Sequence, residues 1–320
     1  MNQDHFRRLG QTEIYVSPVA FGCWPIAGMT SVDVNDTDSL ATLHAAVDSG
    51  INFLDTAYCY GANGESERLI RQALTDRRDE LVIATKGGVH WDADLQRVSD
   101  ASPARLRYEC NESLQRLGTD HVELYYLHGP DPAVPITESA RAINDLIQAG
   151  KVRYAGASNC SLPQLKEFHA VCPLSAVQPH YNMLQRDIES SILPWCMTER
   201  ISVVIYWPLM KGLLAGKMSR SHDFSPKDGR AKYPMFQGDE WQRNQDFVDE
   251  LRSIATTTGH TVAQLVVNWT IHRPGITAAL CGAKRAYQIR ETSGAIGWQL
   301  SDQAIQEIDA ALIRRGSAAG

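Results

Sequence analysis

The 320-residue chain lacks the marks of several protein classes. No stretch approaches the roughly 20 apolar residues of a membrane span. The N-terminal Met1 to Arg8 holds no apolar segment of a secretory signal. The 31 basic side chains are outnumbered by 37 acidic ones, for a formal charge of −6. They form no block or stripe, which argues against nucleic acid as a partner. Seven cysteines (Cys23, Cys59, Cys110, Cys160, Cys172, Cys196, Cys281) stand singly. An odd number with no C-x-x-C pair implies neither a disulfide framework nor a zinc ribbon. His90, His180 and His272 have no partners at metal-ligand spacing, so no metal is expected. No Pro/Ser-rich linker divides the chain. No G-x-G-x-x-G occurs, so the glycine fingerprint of a doubly wound dinucleotide fold is missing. These absences imply a reduced, soluble, cytoplasmic protein folded as one domain over residues 1–320.

What is present is a repeated strand ending. The apolar run Ile51-Asn52-Phe53-Leu54 reads as a buried strand and meets Asp55, with Tyr60 and Gly61 in the loop beyond. Leu81 to Thr85 runs into Lys86 and Gly87-Gly88. Val122 to Leu127 runs into His128 and Gly129-Pro130. Functional residues at the C-terminal ends of successive strands are the habit of a (β/α)8 barrel.

The rest of the chain supports eight strand–helix units. A hairpin from Phe6 to Val16, turning at Gly10-Gln11, precedes the first strand, Val19 to Phe21. Helices follow over about Asp38 to Asp48 and from Ser66. A third starts where Ser102 is a good N-cap and Pro103 fits the first helical position. A fourth spans about Thr137 to Ala149. Strand five covers Val152 to Ala157, and Ser161 to Gln164 forms a capping box for the next helix. Strand six is Ala176-Val177, followed by a helix over about Ile188 to Thr198. Strand seven is Ile201 to Ile205. Helices near Trp241 to Thr257 and Thr261 to Ile271 precede strand eight, Thr277 to Leu280. The last two helices begin near Ala286 and after Ser301. Gly87 to Asp100 and Met210 to Gly238 read as long loops. The expected fold is a single α/β (β/α)8 TIM barrel with an N-terminal β-hairpin and extra C-terminal helices.

In such a barrel all eight strand ends share one face. In order they bring Trp24, Asp55 with Tyr60, Lys86, His128, Ser158-Asn159, Gln178, Tyr206 and Gly282 with Lys284. One half is acid–base chemistry. The other is amide, hydroxyl and aromatic surface, suited to a flat heterocycle such as a nicotinamide. A tyrosine of ordinary pKa, about 10, is a poor acid at neutral pH. A nearby ammonium is expected to lower that value. Asp55 would hold Lys86 in place, and His128 would donate a hydrogen bond to a carbonyl oxygen. Together these groups would polarise a carbonyl and protonate the alkoxide formed when hydride arrives. A purely structural Asp55–Lys86 ion pair is the plainer reading, which the register of His128 and Tyr60 disfavours. Tyr58 reads as packing, Trp24 as a pocket wall, and Trp91 as either pocket wall or core.

From about Phe6 to Leu312 the chain resembles the aldo-keto reductase superfamily. The matching motifs are Asp55-Thr56-Ala57-x-x-Tyr60-Gly61, Thr85-Lys86, Leu127-His128-x-Pro130-Asp131, Gly150-Lys151-Val152-Arg153-x-x-Gly156-x-Ser158-Asn159, Tyr206-x-Pro208-Leu209-x-x-Gly212, and Gly282-Ala283-Lys284 with Gln288 and Glu291. Each is weak alone, but six in order at strand ends are specific. The resemblance implies an NADP-dependent barrel reductase of a small-molecule carbonyl, with Asp55, Tyr60, Lys86 and His128 as catalytic tetrad. It implies that Tyr206 stacks on the nicotinamide and that Ser158, Asn159 and Gln178 hold its carboxamide. The loop with Pro208, Leu209, Gly212 and Lys217 would wrap the pyrophosphate. Gly282, Lys284, Gln288 and Glu291 would meet the adenosine end, with NADPH preferred over NADH. Arg230 and Arg285 carry no assigned role. Three positions depart from the family pattern: Gly129 where many members have Trp, Thr292 where Asn is usual, and Trp207 where the residue is commonly small. Two other functions stay open: a nucleotide-binding regulatory subunit of this fold, which would not need Tyr60 and Lys86, and a metal-dependent barrel hydrolase, which would need clustered ligands.

Overall fold

A computed structural model describes residues 4–28, 32–226 and 228–317. Met1, Asn2 and Gln3 of the N-terminal segment lie outside the described residues. Strands β1 (Arg7–Arg8) and β2 (Tyr15–Val16) form the antiparallel N-terminal hairpin. The strands β3 (Val19–Gly22), β4 (Phe53–Asp55) and β5 (Val82–Gly87) begin the barrel. A second antiparallel pair, β6 (Val89–Trp91) and β7 (Arg97–Ser99), projects from its mouth. The barrel continues with β8 (Val122–Leu127), β9 (Val152–Ser158), β10 (Leu174–Gln178), β11 (Ser202–Tyr206) and β12 (Ile276–Gly282). All eight barrel strands pair in parallel with their sequence neighbours, and β12 closes on β3 through Ala279↔Val19 to Gly282↔Gly22.

The helices surround this barrel. They are α1 (Asp36–Asp48), α2 (Glu65–Leu74), α3 (Pro103–Leu117), α4 (Ile136–Gln148), α5 (Leu162–Val171), α6 (Ile192–Glu199), α7 (Gly238–Thr258), α8 (Val262–Ile271), α9 (Ala286–Ser293) and α10 (Asp302–Arg315). The α3 N-cap is Ser102, whose side chain accepts from Arg105 N, and Ser161 with Gln164 closes the capping box of α5.

The barrel interior explains where the polar residues go. Side chains along a strand alternate between faces. Phe53, Ala84, Tyr126, Ala176 and Val204 belong to the buried cluster that fills the barrel, which Leu9 and Val16 of the N-terminal hairpin plug. Two residues beyond each of these lie Asp55, Lys86, His128, Gln178 and Tyr206. The same inward register that packs the core therefore delivers these five side chains to the top layer. Gly156 belongs to this packing. A Cβ there would stand 2.3 Å from Tyr126 Cδ1, so the tyrosine ring occupies the space a side chain would need.

Three expectations are corrected. The segment Gly87 to Asp100 is not a plain loop but carries the β6–β7 hairpin. Asp92 Oδ1 accepts from Asp94 N and Gln96 N and so builds its turn. The segment Met210 to Gly238 contains 3-10 turns at Met210–Ala215, Gly229–Lys232 and Pro234–Phe236, too short to leave a periodic signal. The helix expected from Ile188 to Thr198 is divided into a 3-10 turn, Asp187–Ser190, and α6. Pro194 sits in the first turn of α6, where its missing N–H costs nothing and its ring bars the helix from extending backwards.

Candidate active site

The mouth centres on a buried ion pair. Lys86 and Asp55 are each 1% exposed, and Lys86 Nζ lies 2.5 Å from Asp55 Oδ1. The ammonium also donates to the Thr56 carbonyl at 2.8 Å and to the Tyr60 hydroxyl at 3.3 Å. Its three protons are thus directed to a carboxylate, a carbonyl and the phenol. Asp55 Oδ2 accepts from Gln178 Nε2 at 2.7 Å. Burial pushes the Asp55 carboxyl up, and Lys86 and Gln178 pull it back. An ion pair this deep is retained only where each charge has further partners, and both do.

The direction of the Tyr60 pKa corrects a sequence expectation. Burial pushes the phenol well above its ordinary value, and the Asp55 and Cys59 side chains add to this, while Arg97 pulls it down. The Lys86 ammonium is spent on Asp55, so the carboxylate cancels the field that was to favour phenolate. Tyr60 therefore holds its proton, which suits a group that gives one to a far more basic alkoxide.

His128 is 8% exposed, and burial, Lys86 and Arg97 hold its imidazole well below the usual range, so the ring is neutral. Its Nδ1 faces the Cys59 Sγ at 3.6 Å. Burial raises that thiol to about 12 and keeps it a protonated donor. With Nδ1 accepting a hydrogen bond from the thiol, the ring's own proton sits on Nε2, free to meet a carbonyl oxygen. Trp24 packs edge-on against Tyr60 at 4.9 Å between ring centres, and Trp91 Nε1 donates to the Cys59 carbonyl at 2.8 Å. Both tryptophans thus wall the Tyr60 side of the mouth. Tyr58 faces elsewhere, with Arg116 over its ring at 4.3 Å.

The opposite half is knitted together by hydrogen bonds. Ser158 Oγ donates to the Gln178 carbonyl at 2.8 Å. Asn159 Nδ2 donates to the His128 carbonyl, and its Oδ1 accepts from the Tyr206 hydroxyl, each at 2.8 Å. The Tyr206 hydroxyl is thereby anchored, with His180 stacked on its ring at 5.3 Å. After β11 the backbone turns left-handed at Trp207, Met210, Lys211 and Gly212, beside Pro208 and Leu209. Lys217 Nζ pairs with Glu291 at 3.0 Å. Lys284 Nζ donates to the Val32 carbonyl at 2.8 Å, and Arg285 to the Asp33 carbonyl at 2.7 Å. Gln288 Oε1 accepts from the Lys284 and Arg285 backbone, capping α9 just past Gly282. Arg230 is paired with Asp228.

Lys211, which sequence reasoning passed over, tests whether this half fits an anionic cofactor. Its Nζ lies 3.6 Å from the centre of the Trp207 ring and 4.3 Å from that of Tyr233. Burial, with Lys232 and Arg230 nearby, lowers its pKa to about 8. Among the described residues it has no carboxylate partner. A half-buried ammonium without a counter-ion, beside a run of left-handed backbone, fits a phosphate-bearing group. Trp207, four residues before it, was the available sequence signal, whereas Tyr233 meets Lys211 only in the fold. Among the described residues no group of three His, Cys, Asp or Glu side chains is placed to hold a metal ion. A cavity of about 570 Å³ lies at the opposite end of the barrel, lined by Pro18, Asp48 and Arg77, and is remote from this chemistry.

Comparison with known proteins agrees with this geometry. The chain is similar to the aldo-keto reductase YhdN of Bacillus subtilis (strain 168), at 36% identity over 310 residues, covering 96% of this chain and 93% of that protein. It is similar in structure to the glycerol dehydrogenase AKR11B4 from Gluconobacter oxydans, with a TM-score of 0.91 and 35% identity, covering 98% and 97% of the two chains. The aldo-keto reductase AKR11C1 from Bacillus halodurans matches with a TM-score of 0.79 and 26% identity over 96% and 95%. The family model described as "Aldo/keto reductase family" spans residues 18–313. On these grounds the chain belongs to the aldo/keto reductase family of oxidoreductases, whose members generally use nicotinamide cofactors.

Proposed function

We propose that this protein is a cytoplasmic NADPH-dependent reductase that converts an aldehyde or ketone to an alcohol, with Tyr60 as proton donor and residues 1–320 acting as one catalytic domain. The observation that carries this reading is the Tyr60 hydroxyl at 3.3 Å from a lysine that is itself tied to Asp55. NADPH, when bound, supplies a hydride to the carbonyl carbon. The chain's own groups manage the oxygen. His128 Nε2–H and the Tyr60 hydroxyl converge on it and polarise the carbonyl. As the C=O π bond breaks, its electron pair moves to oxygen, and Tyr60 releases its proton there. The phenolate left behind keeps the hydrogen bond from Lys86 Nζ, which holds it locally although Asp55 offsets the ammonium's wider field. Ser158, Asn159 and Gln178 line the side where a carboxamide would be held, and Tyr206 offers a ring for stacking. Lys211, Lys217 and the left-handed turn would receive the phosphates.

The reaction is reversible in principle, and the relative from Gluconobacter oxydans is a glycerol dehydrogenase. The test is therefore a panel of aldehydes, ketones and polyols followed by NADPH absorbance in both directions. Oxidation or reduction of at least one member supports the reading. Cofactor binding without turnover of any member would contradict it and favour a nucleotide-binding regulatory role.

Preference for NADPH over NADH is assigned to Lys284. The adenosine 2′-phosphate is the only difference between the cofactors. Lys284 and Arg285 stand at the N-terminus of α9, which adds a partial positive charge. Lys284 Nζ now rests on a neutral carbonyl, a partner it can exchange for a phosphate. Lys284→Ala should weaken NADPH binding about tenfold and leave NADH binding nearly unchanged. Titration by fluorescence measures both constants, and equal loss for the two cofactors would refute the assignment.

A further inference from the structure

The reading of the site as a carbonyl reductase leaves one charged side chain at its mouth unexplained. Arg97 opens β7 and is paired in register with Trp91 of β6. Directly opposed residues of an antiparallel pair project to the same face. The Trp91 indole reaches the Cys59 carbonyl at 2.8 Å, beside the catalytic tyrosine. Val89, also on that face, packs in one cluster with Ala57, Cys59, Tyr60 and Trp91. Arg97 therefore projects over the Tyr60 side of the mouth, from the rim above Trp91.

Its charge reaches the reacting groups. The guanidinium favours ionisation of Tyr60 and Tyr206 and opposes protonation of His128. Yet Arg97 is exposed, and among the described residues it makes no hydrogen bond or ion pair. Among the described residues, none of the nearby carboxylates is paired with Arg97, and most are committed elsewhere. Asp92 accepts from its own turn, Asp100 from Ser102 N, and Glu109 from Gly88 N and Arg105. Most other arginines of this acidic chain are paired with carboxylates. This one is held out by a hairpin that is itself fastened to the catalytic loop.

Resting on the reductase reading, we propose that Arg97 is a specificity-determining residue that receives the carboxylate or phosphate of an anionic carbonyl substrate. A planar fork of N–H donors matches either group bidentately. An anion fixed there would leave the substrate's carbonyl to reach Tyr60 and His128 below.

The test compares para-carboxybenzaldehyde with benzaldehyde, at saturating NADPH, by the ratio of their kcat/KM values. The wild-type protein should prefer the anionic aldehyde by at least about tenfold, and added salt should shrink that ratio. Arg97→Gln should bring the ratio down about tenfold, and Arg97→Lys should keep much of it. A wild-type ratio near one would overturn the proposal while the reductase reading stands, because benzaldehyde is still turned over. A ratio unchanged by Arg97→Gln would overturn it too, as would an effect confined to the KM for NADPH. No turnover of either aldehyde, or of any other carbonyl tried, would overturn the reductase reading and this inference with it.

Discussion

Replacing Tyr60 with phenylalanine should lower the turnover of carbonyl reduction at least about 10²-fold, the low end for loss of a general acid. The substitution removes one oxygen. It leaves the ring packed edge-on against Trp24, so the fold and the affinity for NADPH should survive. Lys86 keeps its contacts to Asp55 and Thr56. Tyr58→Phe is the matched control. The Tyr58 ring lies against Arg116, and its backbone N–H bonds to the Lys86 carbonyl, neither of which needs the hydroxyl. Equal, small effects of the two changes would remove Tyr60 from the mechanism. The pH profile adds a sign. Burial and Asp55 raise the phenol rather than lower it, so Tyr60 stays protonated through the neutral range. Reduction should then show no loss from its ionisation between about pH 6 and pH 9.

Asp55→Asn should destabilise the protein by about 3–5 kcal/mol, the cost of leaving a buried charge without its partner. Lys86 has no exit to solvent, being 1% exposed. The asparagine is nearly the same size, so packing is conserved and the measurement reports the lost charge together with one lost acceptor, for Lys86 or for Gln178. Urea unfolding of the wild type, Asp55→Asn, Lys86→Met and the double variant forms the cycle that isolates the pair. The double variant should be more stable than the sum of the two single losses implies. Turnover should fall as well, because an ammonium released from Asp55 no longer holds its line to Tyr60. Losses that simply add, within about 0.5 kcal/mol, would show that the two side chains do not depend on each other.

The sequence disclosed Asp55, Lys86 and His128 for a physical reason. Each is the next inward residue after a buried apolar one, so the alternation that fills the barrel also fixes their position. The same alternation makes β8 legible to the residue, whereas β10 and β12 are longer than the expected Ala176-Val177 and Thr277 to Leu280. The β6–β7 hairpin was not. Its strands are three residues each, and its turn is made by Asp92 rather than by a glycine pair. Val89-His90-Trp91 and Arg97-Val98-Ser99 flanking an Asp-rich turn were the usable signal, and missing it hid Arg97. Gln178 was expected at the carboxamide, and the structure adds a bond the sequence does not suggest, from its amide N–H to Asp55. That contact joins β10 to β4 across the barrel, 123 residues apart, and no local pattern encodes it. The Tyr60 pKa was misjudged because the count of nearby charges included Lys86 without the carboxylate that neutralises it.

The central claim is that hydride passes to a carbonyl carbon in this mouth while Tyr60 gives the proton. Its most direct measurement uses NADPH carrying deuterium at the transferred position, with an aldehyde that the panel shows to be turned over, and mass analysis of the alcohol. The account predicts one deuterium on the carbinol carbon, with product formation nearly abolished in Tyr60→Phe. An alcohol free of deuterium, or one formed equally well by Tyr60→Phe, would contradict it.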